Sequence, residues 1–409
     1  MFSEAWLVLA SVVLAVGFAT GRAGLSALGT LLLTVVGLAW GWNRMALRGV
    51  QYARRLSERR AFLGETLTLE LAAANRKLLP LAWLKIEDEF PSGLEVLDAE
   101  VLPSTQPSVG YLTSLLSLRW RERVRWRVHV RCDRRGYYFL GPAHVASGDL
   151  FGLFRCQQVL QHQDLLVVYP RLYDLEALGL SGKELFGDAR APVSLLEDPS
   201  RTAGARDYDP GDPLKRVHWK ATARRQQLQT RVYEPTVHLE LLVCLNLLTL
   251  AHEWQGTIPE LLEQAVSVAA TLASYGAERR CEVGLLANGC WPLSDQPLKV
   301  LPGRSPYQLA RILEALAAVS PLPTSRLGDL MLRESARLPW GATLAVITAI
   351  LAEDLTEAML RLARAGRRVV LLSLDPGQPA EELPGILAYR LASPLDGGSM
   401  RFVRVGEEP

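Results

Sequence analysis

Two apolar runs without a single charge open the chain, at residues 5–21 and 23–43. A helix rises 1.5 Å per residue, so roughly 17–25 apolar residues cross a hydrocarbon core. The first run is near the short end of that range and the second is comfortably inside it. Together they predict a transmembrane hairpin over 1–43, turning at Arg22 between Gly21 and Gly24. Trp40 and Trp42 stand where an interfacial aromatic belt belongs. A cleaved signal peptide would begin with a basic stretch, whereas Glu4 is the only charge ahead of the first run.

From about 57 to 175 the pattern changes to short alternating or β-rich runs, at 67–75, 81–90, 116–132 and 165–170, broken by Gly, Pro and Asn. The clearest alternation puts Arg119, Arg121, Arg123, Arg125, Arg127 and His129 on one face. Trp120, Val124, Trp126, Val128 and Val130 fall mostly on the other, as in a strand with one wet face. The arginine row reads as a solvated sheet face more readily than as a phosphate site. Several short strands with turn signals predict a β-sandwich over 61–175. Gly136, Gly141, Gly148 and Gly152 punctuate the next stretch at turn-like positions, and Asp149 precedes an apolar patch at Phe151–Phe154.

Over 236–409 strand-like runs at 239–247, 281–288, 343–350 and 367–374 alternate with helical patterns at 258–275, 304–319, 325–337 and 352–365. That alternation predicts a parallel, doubly wound α/β sheet. The expected architecture is therefore multi-domain: hairpin 1–43, basic juxtamembrane segment 44–60, sandwich 61–175, linker 176–235 and α/β domain 236–409.

Composition alters this picture little. The 409 residues are 49% hydrophobic and 22% charged, as in ordinary globular chains, and the net charge is +2. No global field draws the protein to nucleic acid, so any electrostatic role must be local. Charge placement says more. Residues 44–60 hold Arg44, Arg48, Arg54, Arg55, Arg59 and Arg60 against Glu58, which places the C-terminal side in the cytoplasm of a cell membrane by the positive-inside rule. The five scattered cysteines form no CxxC pair, and a reduced compartment fits them.

The segment 198–235 carries the densest candidate chemistry. Asp209-Pro210-Gly211 has turn chemistry, and Asp212-Pro213 reads as the N-cap and first residue of a helix over 213–226. Leu214, Val217 and Ala221 would share one helical face, leaving Trp219 half-exposed among cations. Eight basic residues face three acidic ones over 201–231. Two readings stand side by side: an internally paired latch built on Asp207 and Asp212, or a basic patch for a phosphate, a nucleic acid or an acidic protein surface. An EF-hand loop counted from Asp207 fails, because its sixth and twelfth positions hold Asp212 and His218.

The run Arg206-x-Tyr208-x-x-Gly211-Asp212-x-x-x-Arg216-x-x-Trp219-Lys220-x-x-x-Arg224 resembles the hallmark of the domain-of-unknown-function-58 family. RRGYYFLGP and SGDLFGLF, followed by VVYP, resemble that family's second signature, and His218 departs from its more usual small polar residue. The resemblance implies a von Willebrand A-like fold for the α/β domain. It also implies a non-enzymatic, membrane-anchored adaptor working with a MoxR-type AAA+ ATPase in assembly, maturation or envelope tasks. The eight motif residues would then bind the ATPase or its client.

Domains of that type often hold Mg²⁺ through D-x-S-x-S after the first strand. Here Asn246, Leu248 and Leu250 occupy those positions, and leucine offers no oxygen to a hard cation. The expectation is no metal and no cofactor. Walker A, GxSxG, HExxH and GxGxxG sequences are all missing. The rival is a binding protein or enzyme for an anionic envelope precursor, using Arg206, Lys220 and Arg224. Nucleic acid is not expected as a partner.

Overall fold

The computed structural model describes residues 5–106, 108–182, 197–235, 240–251, 255–291, 297–338, 341–375, 383–392 and 400–406. It divides into two compact units, Met1–Arg171 and Leu172–Pro409.

The first unit begins with helices Ala5–Ala19 and Ala23–Ala46. The chain reverses at Gly21, whose φ of +66° is left-handed. The helices pack closely: a Cβ on Gly29 would sit 2.5 Å from the Leu14 Cα, and one on Gly17 2.5 Å from the Ser26 nitrogen. Only a residue without a side chain fits at either crossing. The second helix, 24 residues long, is long and apolar enough to cross a membrane. The first is 15 residues, shorter than its uncharged run, because the turn consumes the end of that run.

Three sheets follow. Val50–Leu56, Thr66–Asn75, Arg123–Arg131 and Glu95–Val96 pair in that order. A second sheet orders Arg155–Leu160, Ala143–Gly148, Leu81–Pro91, Val109–Leu118 and Val101–Pro103, and a third orders Arg60–Phe62, Asp164–Tyr169 and Gly136–Leu140. Alternation fills one shared core: Leu67, Leu69, Leu71, Val128 and Val130 from the first sheet meet Phe90 and Leu112 from the second and Leu166 and Val168 from the third. The result is β-rich and sandwich-like.

One expectation fails here. The run 116–132 is two strands, Val109–Leu118 and Arg123–Arg131, which lie in different sheets. Between them Arg121 takes a left-handed φ of 51°, and Trp120 is 69% exposed at the turn rather than on a buried strand face. Arginine recurs at every second residue through the turn, and only Glu122 breaks the apolar side of the pattern, so the arginine period did not locate it. Over 123–131 the predicted wet face holds, with Arg123, Arg125, Arg127 and His129 exposed.

The second unit is built on a seven-stranded sheet in the order Pro297–Gly303, Glu282–Cys290, Glu240–Leu245, Thr343–Thr348, Arg368–Ser373, Ile386–Leu391, Phe402–Arg404. The five inner strands are mutually parallel and the two edges antiparallel. Helices Pro259–Glu278, Gln308–Ala318, Leu327–Ser335 and Glu353–Arg364 are the crossovers. The inner strands are apolar nearly throughout, as strands covered on both faces must be. The chain order reverses between Glu240–Leu245 and Thr343–Thr348, which is the topological switch point of a doubly wound sheet. The strands Pro297–Gly303, Ile386–Leu391 and Phe402–Arg404 went unanticipated. All five cysteines are unpaired thiols; Cys132, Cys244 and Cys281 are buried, and burial pushes their thiols up.

Candidate functional site

The motif residues sit on an antiparallel ribbon, Glu197–Asp207 with Gln229–Pro235, and on the connection between its strands. The helix expected over 213–226 does not form as one piece. Leu214–Arg216 makes a single 3₁₀ turn, Val217 is extended (φ −60°, ψ 124°), and a helix runs only from Trp219 to Arg225. The reason is Val217. It bridges to Thr230 on the ribbon and is 2% exposed, which a continuous helix would forbid. Leu214, expected on the same helical face as Val217, is 70% exposed. The N-cap is His218, whose Nδ1 accepts from the Ala221 N–H at 3.2 Å. Gln226 ends the helix in a left-handed conformation, φ 53°.

Asp212 is therefore a clasp and not a cap. Its Oδ1 takes the Arg206 guanidinium at 2.6 Å, and its Oδ2 accepts from the Asp209 N–H at 3.1 Å and the Thr230 hydroxyl at 3.2 Å. The Asp209 N–H first, and Arg206 beside it, hold this carboxyl below the usual carboxylate range. Asp207 Oδ1 accepts from buried Gln229 Nε2 at 2.5 Å, and the His218 N–H donates to the Gln229 carbonyl at 2.7 Å. Tyr208 is half-buried, its N–H bonded to the Leu228 carbonyl at 2.9 Å. Gly211 needs no special backbone: a Cβ there would meet only the Asp209 carboxylate, at 3.8 Å.

The structure thus sorts the eight motif residues. Arg206, Asp212 and the backbone of Tyr208 and Gly211 close the clasp. Arg216 is half-buried beside it. Trp219, Lys220 and Arg224 lie on the exposed face of the short helix, with Trp219 66% exposed. Leu214 adds a second exposed apolar side chain, and Lys215 and Arg225 add exposed charge.

The switch point, where doubly wound sheets usually bind ligands, is closed by neutral side chains. Asn246 Oδ1 accepts from Asn288 Nδ2 at 2.9 Å and from the Leu248 N–H at 3.2 Å, while its Nδ2 donates to Thr348 Oγ1 at 3.0 Å. Asn288 Oδ1 takes the Leu247 N–H at 2.8 Å, and Thr249 Oγ1 takes the Ile258 N–H at 2.7 Å. Asn246, Asn288 and Thr348 are at most 4% exposed. Both atoms of the Asn246 amide are committed to neighbours. Among the described residues no group of three or more His, Cys, Asp or Glu could hold a metal ion.

A third polar cluster, missed from sequence, lies inside the sandwich. Buried Arg54 bonds Asp88, reaches Asp164 Oδ2 through Nε at 3.2 Å, and donates to the His162 carbonyl. The Tyr52 hydroxyl completes it, donating to Asp88 Oδ2 at 2.7 Å. Burial pushes the Asp88 carboxyl up to about 6, against the pull of Arg54, and raises the Tyr52 hydroxyl. Gly141 of the RRGYYFLGP run makes room: at φ +92°, a Cβ there would collide with the Arg54 guanidinium.

Comparison with known proteins adds a family to this geometry. The model of the family described as protein of unknown function DUF58 matches residues 204–407. Residues 204–407 resemble that family in sequence. That stretch takes in the clasp, the exposed helix and the whole doubly wound sheet. The chain is also similar to the uncharacterized protein YeaD of Bacillus subtilis, 23% identical over 359 residues, covering 84% of this chain and 81% of that one. Among solved structures, a β-glucosidase from Listeria innocua is 12% identical with a TM-score of 0.19, over 29% of this chain and 16% of its own. A cohesin module from Clostridium perfringens is 11% identical with a TM-score of 0.20, over 29% of this chain and 96% of its own. Likenesses at such scores carry no argument.

Proposed function

We propose that this protein is a non-enzymatic adaptor, anchored in the cell membrane by its N-terminal helices, that presents a cytoplasmic surface to a MoxR-type AAA+ ATPase or to that ATPase's client. The observation that carries this reading is the 66% exposed Trp219, set with Lys220 and Arg224 on a short helix in the connection that Asp212 closes against Arg206 and Thr230. Exposed Trp and Arg on a fixed element are the residue types that dominate protein interfaces. The clasp and the patch, two readings of one motif, become parts of one device: the first holds, the second touches.

The doubly wound sheet is read as a von Willebrand A-like domain whose metal position has been replaced by the Asn246–Asn288–Thr348 amide network. That network favours a binding platform over a reactive centre. The rival anionic-ligand reading needs Arg206, and Arg206 is engaged by Asp212 at 2.6 Å. The six arginines of 44–60 favour a cytoplasmic body by the positive-inside rule.

The test is affinity isolation from native membranes after mild crosslinking, comparing wild type with Lys220→Ala/Arg224→Ala. Recovery of an AAA+ ATPase with wild type and its loss with the folded variant is expected. Absence of any protein partner from both samples would contradict the adaptor reading.

A further inference from the structure

The end of the sandwich from which the helices emerge is tipped with apolar side chains. Leu78 (70% exposed), Trp120 (69%), Leu150 (62%) and Phe151 (66%) stand on three separate loops. Hydrogen bonds fix two of those loops to the helical end. Asn75 Nδ2 donates to the Leu79 carbonyl at 2.8 Å and the Arg119 carbonyl at 2.9 Å, the Arg121 N–H to the Lys77 carbonyl at 3.2 Å, and Lys77 Nζ to the Ala46 carbonyl at the end of the second helix. The third loop is built around buried Asp149, which accepts from the N–H groups of Phe151 at 2.8 Å, Leu153 at 3.3 Å and Phe154 at 2.6 Å. That turn drives Phe154 and Leu153 against Val36 and Ala39 of the second helix.

Helix length decides what this contact means. From Ala23 to Val36 the helix offers about 14 residues, or about 20 Å, whereas a hydrocarbon core is about 30 Å thick. A loop resting on Val36 and Ala39 outside the bilayer would leave the span about 10 Å short, and tilting would shorten its reach further. The span closes only if the helix continues through the membrane past Ala39, carrying the 149–154 loop with it. The charges agree. Segments 44–49, 76–80 and 119–122 hold Arg44, Arg48, Arg76, Lys77, Arg119 and Arg121 against Glu122 alone. The Arg44 guanidinium lies 5.6 Å from the Trp40 ring centroid. Aromatic and aliphatic tips ringed by cations match the interfacial zone of an anionic leaflet.

We infer that this end of the sandwich is a lipid-binding foot: Leu150 and Phe151 enter the bilayer beside the second helix, and Leu78 and Trp120 lie in the headgroup zone among the cations. The inference rests on the membrane-anchored reading above. It adds that the sandwich sits on the bilayer as a fixed platform and is not merely tethered to it.

The test places a genetically encoded fluorescent amino acid singly at positions 31, 78, 97, 120 and 151 of the full chain. Each protein is reconstituted into phosphatidylglycerol-containing vesicles, with or without lipids brominated in the upper acyl chain. Leu31, exposed on the second helix, reports the anchor. Leu97, bonded to the His129 carbonyl at the far end of the Arg123–Arg131 strand, reports the end away from the helices. Loss of most emission at 31 and 151, smaller loss at 78 and 120, and none at 97 is expected. Quenching at 31 with full emission at 78, 120 and 151 would overturn the foot and leave the anchor standing. Full emission at 31 would overturn the anchor, and the foot with it. All five positions are exposed, and thermal melts in detergent matching wild type certify each labelled protein.

Discussion

Two arginine–aspartate pairs, one in each unit, show how burial turns the same chemistry to different ends. Arg54 and Asp88 have side chains only 3% and 2% exposed, and Tyr52, Asp164 and the His162 carbonyl use up much of their remaining hydrogen-bonding capacity. Arg206 and Asp212 are 51% and 13% exposed, and their partners are mostly backbone and hydroxyl groups of the ribbon. The first pair cannot be reached from outside and organises a platform. The second is a clasp at the surface, in the connection that also carries the displayed helix. Each of the two runs thus has its own work: the RRGYYFLGP run, through Gly141, accommodates the buried pair, and the 206–224 run carries the exposed one.

The largest expected effect is on the buried pair. Arg54→Ala leaves Asp88 and Asp164 buried without their cation, and breaking such a pair costs about 3–5 kcal/mol, read as a fall in the denaturation midpoint of the sandwich. Gly141→Ala follows at about 1–3 kcal/mol from its left-handed φ alone, with the collision against Arg54 added. If both variants melt like wild type, the cluster does not organise the platform. At the switch point, Asn246→Leu strands the Asn288 amide and the Leu248 N–H, at about 1–3 kcal/mol. Titration of the full chain with Mg²⁺ or Mn²⁺ should give no binding heat, and Asn246→Asp should not change that, because Leu248 and Leu250 add no oxygen. Saturable binding would contradict the amide-network reading.

The pH dependence separates the two pairs by sign. Asp88 sits at about 6 in the fold, above the ordinary value of about 3.9. The folded chain binds that proton more readily than the unfolded one, so this group adds stability as pH falls from about 7 toward 4. Asp212 is lowered, so its contribution is present above the ordinary carboxylate value and is lost as pH falls through it. Hydrogen exchange resolved by strand, on wild type, Asp88→Asn and Asp212→Asn, should show the two differences with opposite slopes. The smallest effect belongs to the displayed helix: Lys220→Ala/Arg224→Ala should leave the melting curve unchanged, since both side chains are exposed.

Much of this architecture was legible because it is periodic. Uncharged runs marked the helices, and apolar strands alternating with amphipathic helices marked the doubly wound sheet to within a few residues. What escaped was set by distant partners. The Arg54 cluster joins residues from four parts of the chain, and nothing local marks Arg54 among the six arginines of its segment. The break at Val217 comes from a bridge to Thr230 across the ribbon, which overrides good local helix-start chemistry at Asp212-Pro213. The turn at 119–122 was hidden because its arginines keep the two-residue rhythm of the strand that follows, with Glu122 the one residue out of step. At the candidate site the identities of the motif residues were readable. The division of labour between clasp and contact required the structure.

The most direct test of the account is a photoreactive amino acid in place of Trp219, irradiated in cells. The account predicts a covalent adduct with an AAA+ ATPase or its client, and no adduct from the same group placed at buried Val217. Absence of any protein adduct from position 219, in a protein that folds and reaches the membrane, would contradict it.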